Sequence, residues 1–130
     1  MDTKAVDTKT VVTRYYELAN AGSWDAWCDL FAEDQVMDEQ LAGHVEGREP
    51  LRAMMAGFPG MYASFRNQPR ELIVENERAG VVSHISAVTP AGARIEADVM
   101  NFFRVADGAI TYMANFHDTQ PFRTALPATA

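Results

Sequence analysis

The 130-residue chain predicts an α+β fold, with helices segregated onto one face of an antiparallel sheet. Apolar residues recur at helical spacing three times in the first half. Beyond Pro59 and Gly60 the pattern changes to strand-like runs rich in Val, Ile and Phe. Short Gly-containing turns join those runs in sequence, and sequential hairpins pair antiparallel.

The first helical face is Val12, Tyr15, Tyr16 and Ala19, and Gly22 suits the left-handed position that ends a helix. Ser23 reads as the cap of a second helix whose face is Trp24, Trp27, Cys28 and Phe31. Pro50 fits the first turn of a third helix, faced by Leu51, Met54, Met55 and Phe58. A short extended piece is expected at 35–40 and a brief strand at 71–75. Longer strands are expected at 80–89, 93–105 and 109–116, with turns at Pro90-Ala91-Gly92 and Asp107-Gly108. Residues 41–47, including His44, read as a loop. One domain spans the chain, with a core at about 8–120 and frayed ends at 1–7 and 124–130. Strands this long, held by few helices, tend to curl and leave a cone-shaped pocket.

Composition removes several classes. Eleven basic against eighteen acidic residues give a formal net charge of −7. That balance disfavours nucleic acid and anionic membrane as partners, since both are bound through cationic surface. No apolar run reaches the roughly 18 residues of a membrane span, and the first ten residues lack the apolar stretch of a secretory signal. The single Cys28 has no partner for an internal disulfide and reads as packing in a reducing, cytoplasmic compartment. No Cys/His spacing fits a metal, no Gly-rich loop fits a phosphate, and no cofactor is expected.

From Val11 through Asn20-Ala21-Gly22-Ser23-Trp24-Asp25 to Leu30-Phe31-Ala32-Glu33-Asp34, the chain resembles the opening of the NTF2-like superfamily. The resemblance is strongest to ketosteroid isomerases and SnoaL-like polyketide cyclases. Gly47-Arg48-Glu49, Asn101-Phe102-Phe103-Arg104 and Gly108-Ala109-Ile110 fit the same template, so it covers about residues 8–120. Asn115-Phe116-His117-Asp118-Thr119 resembles the W-D-x-x-D-T stretch closing many SnoaL-like sequences. The resemblance implies a conical roll with a deep apolar pocket and a homodimer formed through the sheet. It also implies a tyrosine at Tyr15, a general base at Glu39 or its neighbour Asp38, and a neutral donor at Asn101. Ketosteroid isomerase places an acid at that last position. Asn donates the same hydrogen bond without a pKa shift.

Period-2 alternation then sorts the strands. If Asn101 faces the pocket, Val99 and Phe103 do too, while Asp98 and Met100 face away. Counting by the family template puts His84, Ser86 and Val88 inside, leaving Val81, Ile85 and Ala87 outside. Met113, Asn115 and His117 fall inside on the last strand, and Trp24, Met55 and Phe58 complete the lining. Apolar surroundings raise a carboxyl pKa towards the operating pH, which suits Glu39 to the base's role. His117 or His84 would return the proton, with Asp118 as a further candidate. The bland alternatives are a solvated strand end for Asp38-Glu39-Gln40, core packing for His84 and Tyr15, and a satisfied central-strand residue for Asn101.

Two functions fit. One is a cofactor-independent acid–base enzyme that isomerises, cyclises or dehydrates a small, mostly apolar polyketide- or steroid-like molecule, with epoxide hydrolysis as a variant. The other is a non-catalytic binding or accessory dimer using the same pocket.

Overall fold

The structure, a computed structural model, describes residues 3–126. Its elements are α1 (Thr3–Ala21), α2 (Trp24–Cys28), β1 (Phe31–Glu39), β2 (Gly43–Glu46), α3 (Arg48–Met55), a 3-10 turn (Phe58–Gly60), β3 (Ser64–Glu75), β4 (Arg78–Val88), β5 (Arg94–Ala106), β6 (Ala109–Phe116) and α4 (Gln120–Ala125). One six-stranded sheet runs β2-β1-β6-β5-β4-β3, antiparallel except where β1 lies parallel to β6. It is curved but not closed, and β2 and β3 remain edges.

Local chemistry explains the boundaries. α1 ends in a Schellman motif: Gly22 N donates to Ala19 O (3.1 Å) and Ser23 N to Leu18 O (2.9 Å), with Gly22 at φ +71°. α2 lasts five residues, and Phe31, expected on its face, instead begins β1. Gly47 precedes α3 at φ +95°, where a Cβ would meet Pro50 Cδ at 3.2 Å. β3 starts at Ser64, well before the expected 71–75, and absorbs Pro69 through a bulge between Pro69 and Glu71. An edge strand tolerates that proline because one side of its ladder is unpaired.

The two end segments, 1–7 and 124–130, fall partly within helices. Helix begins at Thr3, with Thr8 Oγ1 donating to Asn76 O (2.7 Å), and residues 124 and 125 belong to α4. The remainder of those two ends, 1–2 and 127–130, lies outside the described residues. The expected loop at 41–47 contains β2, whose His44 pairs with Asp38 of β1.

The sheet's inner face carries the core. Tyr15 meets Phe103 edge-on at 4.9 Å and Trp27 at 5.3 Å, and Phe31, Leu51, Phe103 and Ile110 are fully buried around them. A second cluster of Ile85, Ala87, Ile95, Ala97 and Val99 lies under Phe122 of α4. Here the expected facing of β4 is reversed. The three-residue turn is closed by Thr89 N donating to Ala93 O (2.9 Å), so residues of equal parity pair across it. Val81 lies beside Asn101, and Ile85 beside Ala97. Val81, Ile85 and Ala87 therefore point inward and are buried, whereas His84, Ser86 and Val88 point to the outer face. Among the described residues, no helix is long and apolar enough to cross a membrane.

Candidate active site

A cavity of about 270 Å³ opens between the helices and the inner sheet face. Its wall is aromatic and methionine-rich: Tyr15 from α1, Trp24 and Trp27 from α2, Met54 and Met55 from α3, Phe58, Met61 and Tyr62 after it, and Phe65 from β3. Polar groups enter from strand positions Glu39, Asn67 and Asn115 and from His117 just past the end of β6. Burial beside Glu39 pushes the Tyr62 phenol up to about 12 and the Tyr15 phenol higher still, so both remain hydrogen-bond donors at neutral pH.

Glu39 ends β1, and the chain turns over its side chain. Its Oε2 accepts from the backbone N–H groups of Leu41 (2.7 Å) and Ala42 (2.5 Å). Its Oε1 accepts from Asn115 Nδ2 (3.4 Å) and faces His117 Nε2 at 3.7 Å. The His117 side chain is only 1% exposed and rests against the Phe122 ring at 5.0 Å. Its Nδ1 lies 2.8 Å from the carbonyl oxygen of Asp118. A carbonyl only accepts, so Nδ1 carries a proton and Nε2 is the nitrogen presented to Glu39.

The sequence-predicted residues divide on these positions. Tyr15, Glu39, His117, Asn115, Met113, Trp24, Met55 and Phe58 line one cavity. Asp38 does not: one residue from Glu39, it points outward, where Oδ1 lies 2.6 Å from His44 Nδ1 and Oδ2 accepts from Tyr112 (2.7 Å). His84 and Ser86 are corrected likewise. His84 Nδ1 and Nε2 lie 2.8 Å from Asp98 and Glu96, and Ser86 donates to Glu96 (2.6 Å) on the outer face. Asn101 is buried and spends its amide on Val81 O (3.1 Å) and Ser83 Oγ (2.9 Å), which makes it the satisfied central-strand residue rather than a cavity donor. Val99 and Phe103 face inward but belong to the packed core and do not line the cavity. Asp118 is exposed and accepts from Gln120 N (2.9 Å) at the start of α4.

Sequence reasoning missed Trp27, Tyr62 and Asn67 as lining residues. Trp27 sits on a face that packing already explains, and Asn67 falls in a strand masked by Pro69. Among the described residues, no group of three or more His, Cys, Asp or Glu could hold a metal ion.

Residues 12–113 match the family model described as a SnoaL-like domain. The fold is NTF2-like. TerC, crystallised with polyporic acid, is 18% identical, with a TM-score of 0.81 over 92% of this chain and 97% of its own. A candidate SnoaL-like polyketide cyclase from Jannaschia sp. CCS1 is 20% identical, with a TM-score of 0.79 over 98% and 96%. An M. tuberculosis LEH-like epoxide hydrolase is 14% identical, with a TM-score of 0.81 over 94% and 90%. At these identities the likeness establishes the fold and not the reaction. No curated protein sequence matches the chain.

Proposed function

The chain belongs to the SnoaL-like domain family, and from that premise we propose that it is a cofactor-independent acid–base enzyme acting on a small, mostly apolar molecule. The observation that carries this reading is the Glu39–His117 pair: a cavity carboxylate clamped on one oxygen by its own turn, its other oxygen held by Asn115 and facing a buried imidazole. Such fixing supplies the positioned base that proton transfer needs, with effects typically of about 10²–10⁴-fold.

In the proposed reaction Glu39 Oε1 takes a proton from carbon next to a substrate carbonyl. The C–H electron pair becomes the enolate C=C, and charge gathers on the carbonyl oxygen. Tyr15 and Tyr62, both protonated and both in the cavity, are the donors for that oxygen. Asn115 holds Oε1 in place, and His117 Nε2 shares the proton that Glu39 has taken before it returns to a different atom. Isomerisation, aldol-type cyclisation and dehydration all pass through this first step. The neighbours' names, a candidate polyketide cyclase and an LEH-like epoxide hydrolase, and the co-crystallisation of TerC with polyporic acid support a small-molecule substrate.

The proposal extends to a homodimer through the outer sheet face. There Met100 and Phe116 lie side by side, 46% and 57% exposed, next to half-exposed Val82. A contiguous exposed apolar patch of this kind marks an interaction surface.

Native mass spectrometry with a panel of enones, polyketide-like aromatics and epoxides, followed by chromatography of the released compounds to separate isomers of equal mass, tests the enzymatic reading. Release of a panel member as an isomer, or changed by the mass of one water, is the expected result. Bound members that all return unaltered would overturn it in favour of a binding protein.

A further inference from the structure

His117 stands where the sheet no longer holds the chain. The last ladder pair of β6 is Phe116 with Met100, α4 begins at Gln120, and residues 117–119 belong to neither element. A connecting segment of this kind ordinarily runs over the surface with its side chains in solvent. The His117 side chain is nevertheless only 1% exposed, with Nε2 3.7 Å from Glu39. What holds the connection is α4. Asp118 Oδ1 accepts from Gln120 N (2.9 Å), and Thr119 O accepts from Phe122 N (3.1 Å) and Arg123 N (3.0 Å). Arg123 Nε donates to Thr119 Oγ1 (3.0 Å).

α4 has six residues, too few for a helix to persist on its own hydrogen bonds. Its single buried side chain is Phe122, seated among Ile85, Ala87, Ile95, Ala97 and Val99 of the inner sheet face. The same ring lines the cavity and packs against the His117 ring. Without Phe122, α4 would keep only the half-buried Pro121 and Ala125 for its hold on the core. One side chain therefore ties the connection to the core and bounds the space in which the imidazole can turn. We propose that Phe122 is a positioning residue: by anchoring α4 it keeps His117 turned with Nδ1–H on the Asp118 carbonyl and Nε2 towards Glu39. Phe122 acts through His117 and not on the reacting atoms. The inference deepens the acid–base reading above and rests on it for the part His117 takes in proton transfer.

The test is long-range proton–nitrogen NMR correlation on the neutral His117 ring, which tells a proton on Nδ1 from one on Nε2 and needs no substrate. The wild-type ring is expected to carry its proton on Nδ1. In Phe122→Ala the ratio of Nδ1–H to Nε2–H should fall about fivefold, the worth of one net hydrogen bond. Phe122→Leu keeps an apolar anchor and should hold the ratio within about twofold of the wild type. Ile110→Ala truncates a fully buried side chain that does not line the cavity, and it too should stay within about twofold. Thermal melts establish that each variant folds. If Phe122→Ala does not, Phe122→Val takes its place, with a fall beyond about twofold expected. A wild-type proton on Nε2, an unchanged ratio in the folded truncation, or an equal fall in Phe122→Leu or Ile110→Ala would overturn the proposal. Glu39→Gln separates the two readings. Loss of turnover with the wild-type tautomer kept is the expected result; full turnover in that variant overturns the acid–base reading and leaves Phe122 to be judged by the tautomer of the ring.

Discussion

The two faces of the sheet carry the same chemical pair, a histidine beside carboxylates, in opposite surroundings. Inside, His117 meets Glu39 in a cavity walled by aromatics, with the imidazole side chain 1% exposed. Outside, His44 meets Asp38 and Glu46, and His84 meets Asp98 and Glu96, all on or near the solvated surface. Asp38 and Glu39 are consecutive in one strand, so a single step along the pleat separates a carboxylate that lines the cavity from one that solvent screens. The lesson is that residue type does not make a site. Burial, a fixed proton on His117 and a cavity-facing carboxylate oxygen do.

The largest expected effect breaks that comparison directly. Glu39→Gln should cut turnover of the true substrate by about 10²–10⁴-fold, whereas Asp38→Asn should leave it within about threefold, as read by kcat/KM. Equal losses in the two variants would erase the distinction between the faces. Next, Phe103→Ala, at the fully buried inner face, should destabilise the chain by about 3–5 kcal/mol in denaturant melts. Smaller again is the effect of Phe116→Asp on the outer face. It should raise the dimer dissociation constant by about 30-fold, on the order of 2 kcal/mol, in sedimentation equilibrium. A wild-type chain that sediments as a monomer at micromolar concentration would refute the dimer.

The smallest effect concerns pH. Hydrogen bonds to Asp98 and Glu96 raise the His84 imidazole above its ordinary 6.5, while Ser86 and then His84 hold Glu96, and His84 holds Asp98, below their ordinary range. A raised histidine contributes stability that is fully present below about pH 6.5 and fades as pH climbs through the folded value. The lowered carboxylates contribute above their ordinary range and lose it on acidification. The cluster therefore stabilises most in the window between them. His84→Gln should flatten the fall of the melting temperature as pH rises above about 6.5. His44, raised in the same way by Asp38 and Glu46, leaves a residual slope of the same sign.

Much of the fold was legible because its signals are local. Helical spacing gives the faces of α1 and α3, Gly22 and Gly47 mark chain reversals, and β6 spans the residues expected of it. The brief strand at 71–75 grew into β3 because its polar first half and Pro69 look like loop, yet an edge strand accepts both. β2 and the parallel β1–β6 contact left no trace in sequence, since each depends on a partner remote in the chain.

The candidate site was half legible for the same reason. Alternation along β6, carried one residue past its end, groups Met113, Asn115 and His117, and all three line the cavity with Tyr15 and Glu39, which the resemblance brings to them. Alternation cannot carry parity from one strand to the next, because that depends on how the hairpin closes. Thr89 pairing with Ala93 turned His84 and Ser86 outward and brought Ile85 to the cavity.

The sequence by itself determined the α+β class, the order of helices and long strands, the family resemblance, and a cavity-facing row on the last strand. Those follow from periods, caps and turns that act over a few residues. Only the tertiary structure decided which neighbour of the Asp38–Glu39 pair faces the cavity, that Asn101 is spent on Val81 and Ser83, and that Trp27 and Asn67 line the cavity. Each of these depends on strand register and sheet curvature, which bring together groups far apart in the chain, and no local pattern encodes where such groups meet.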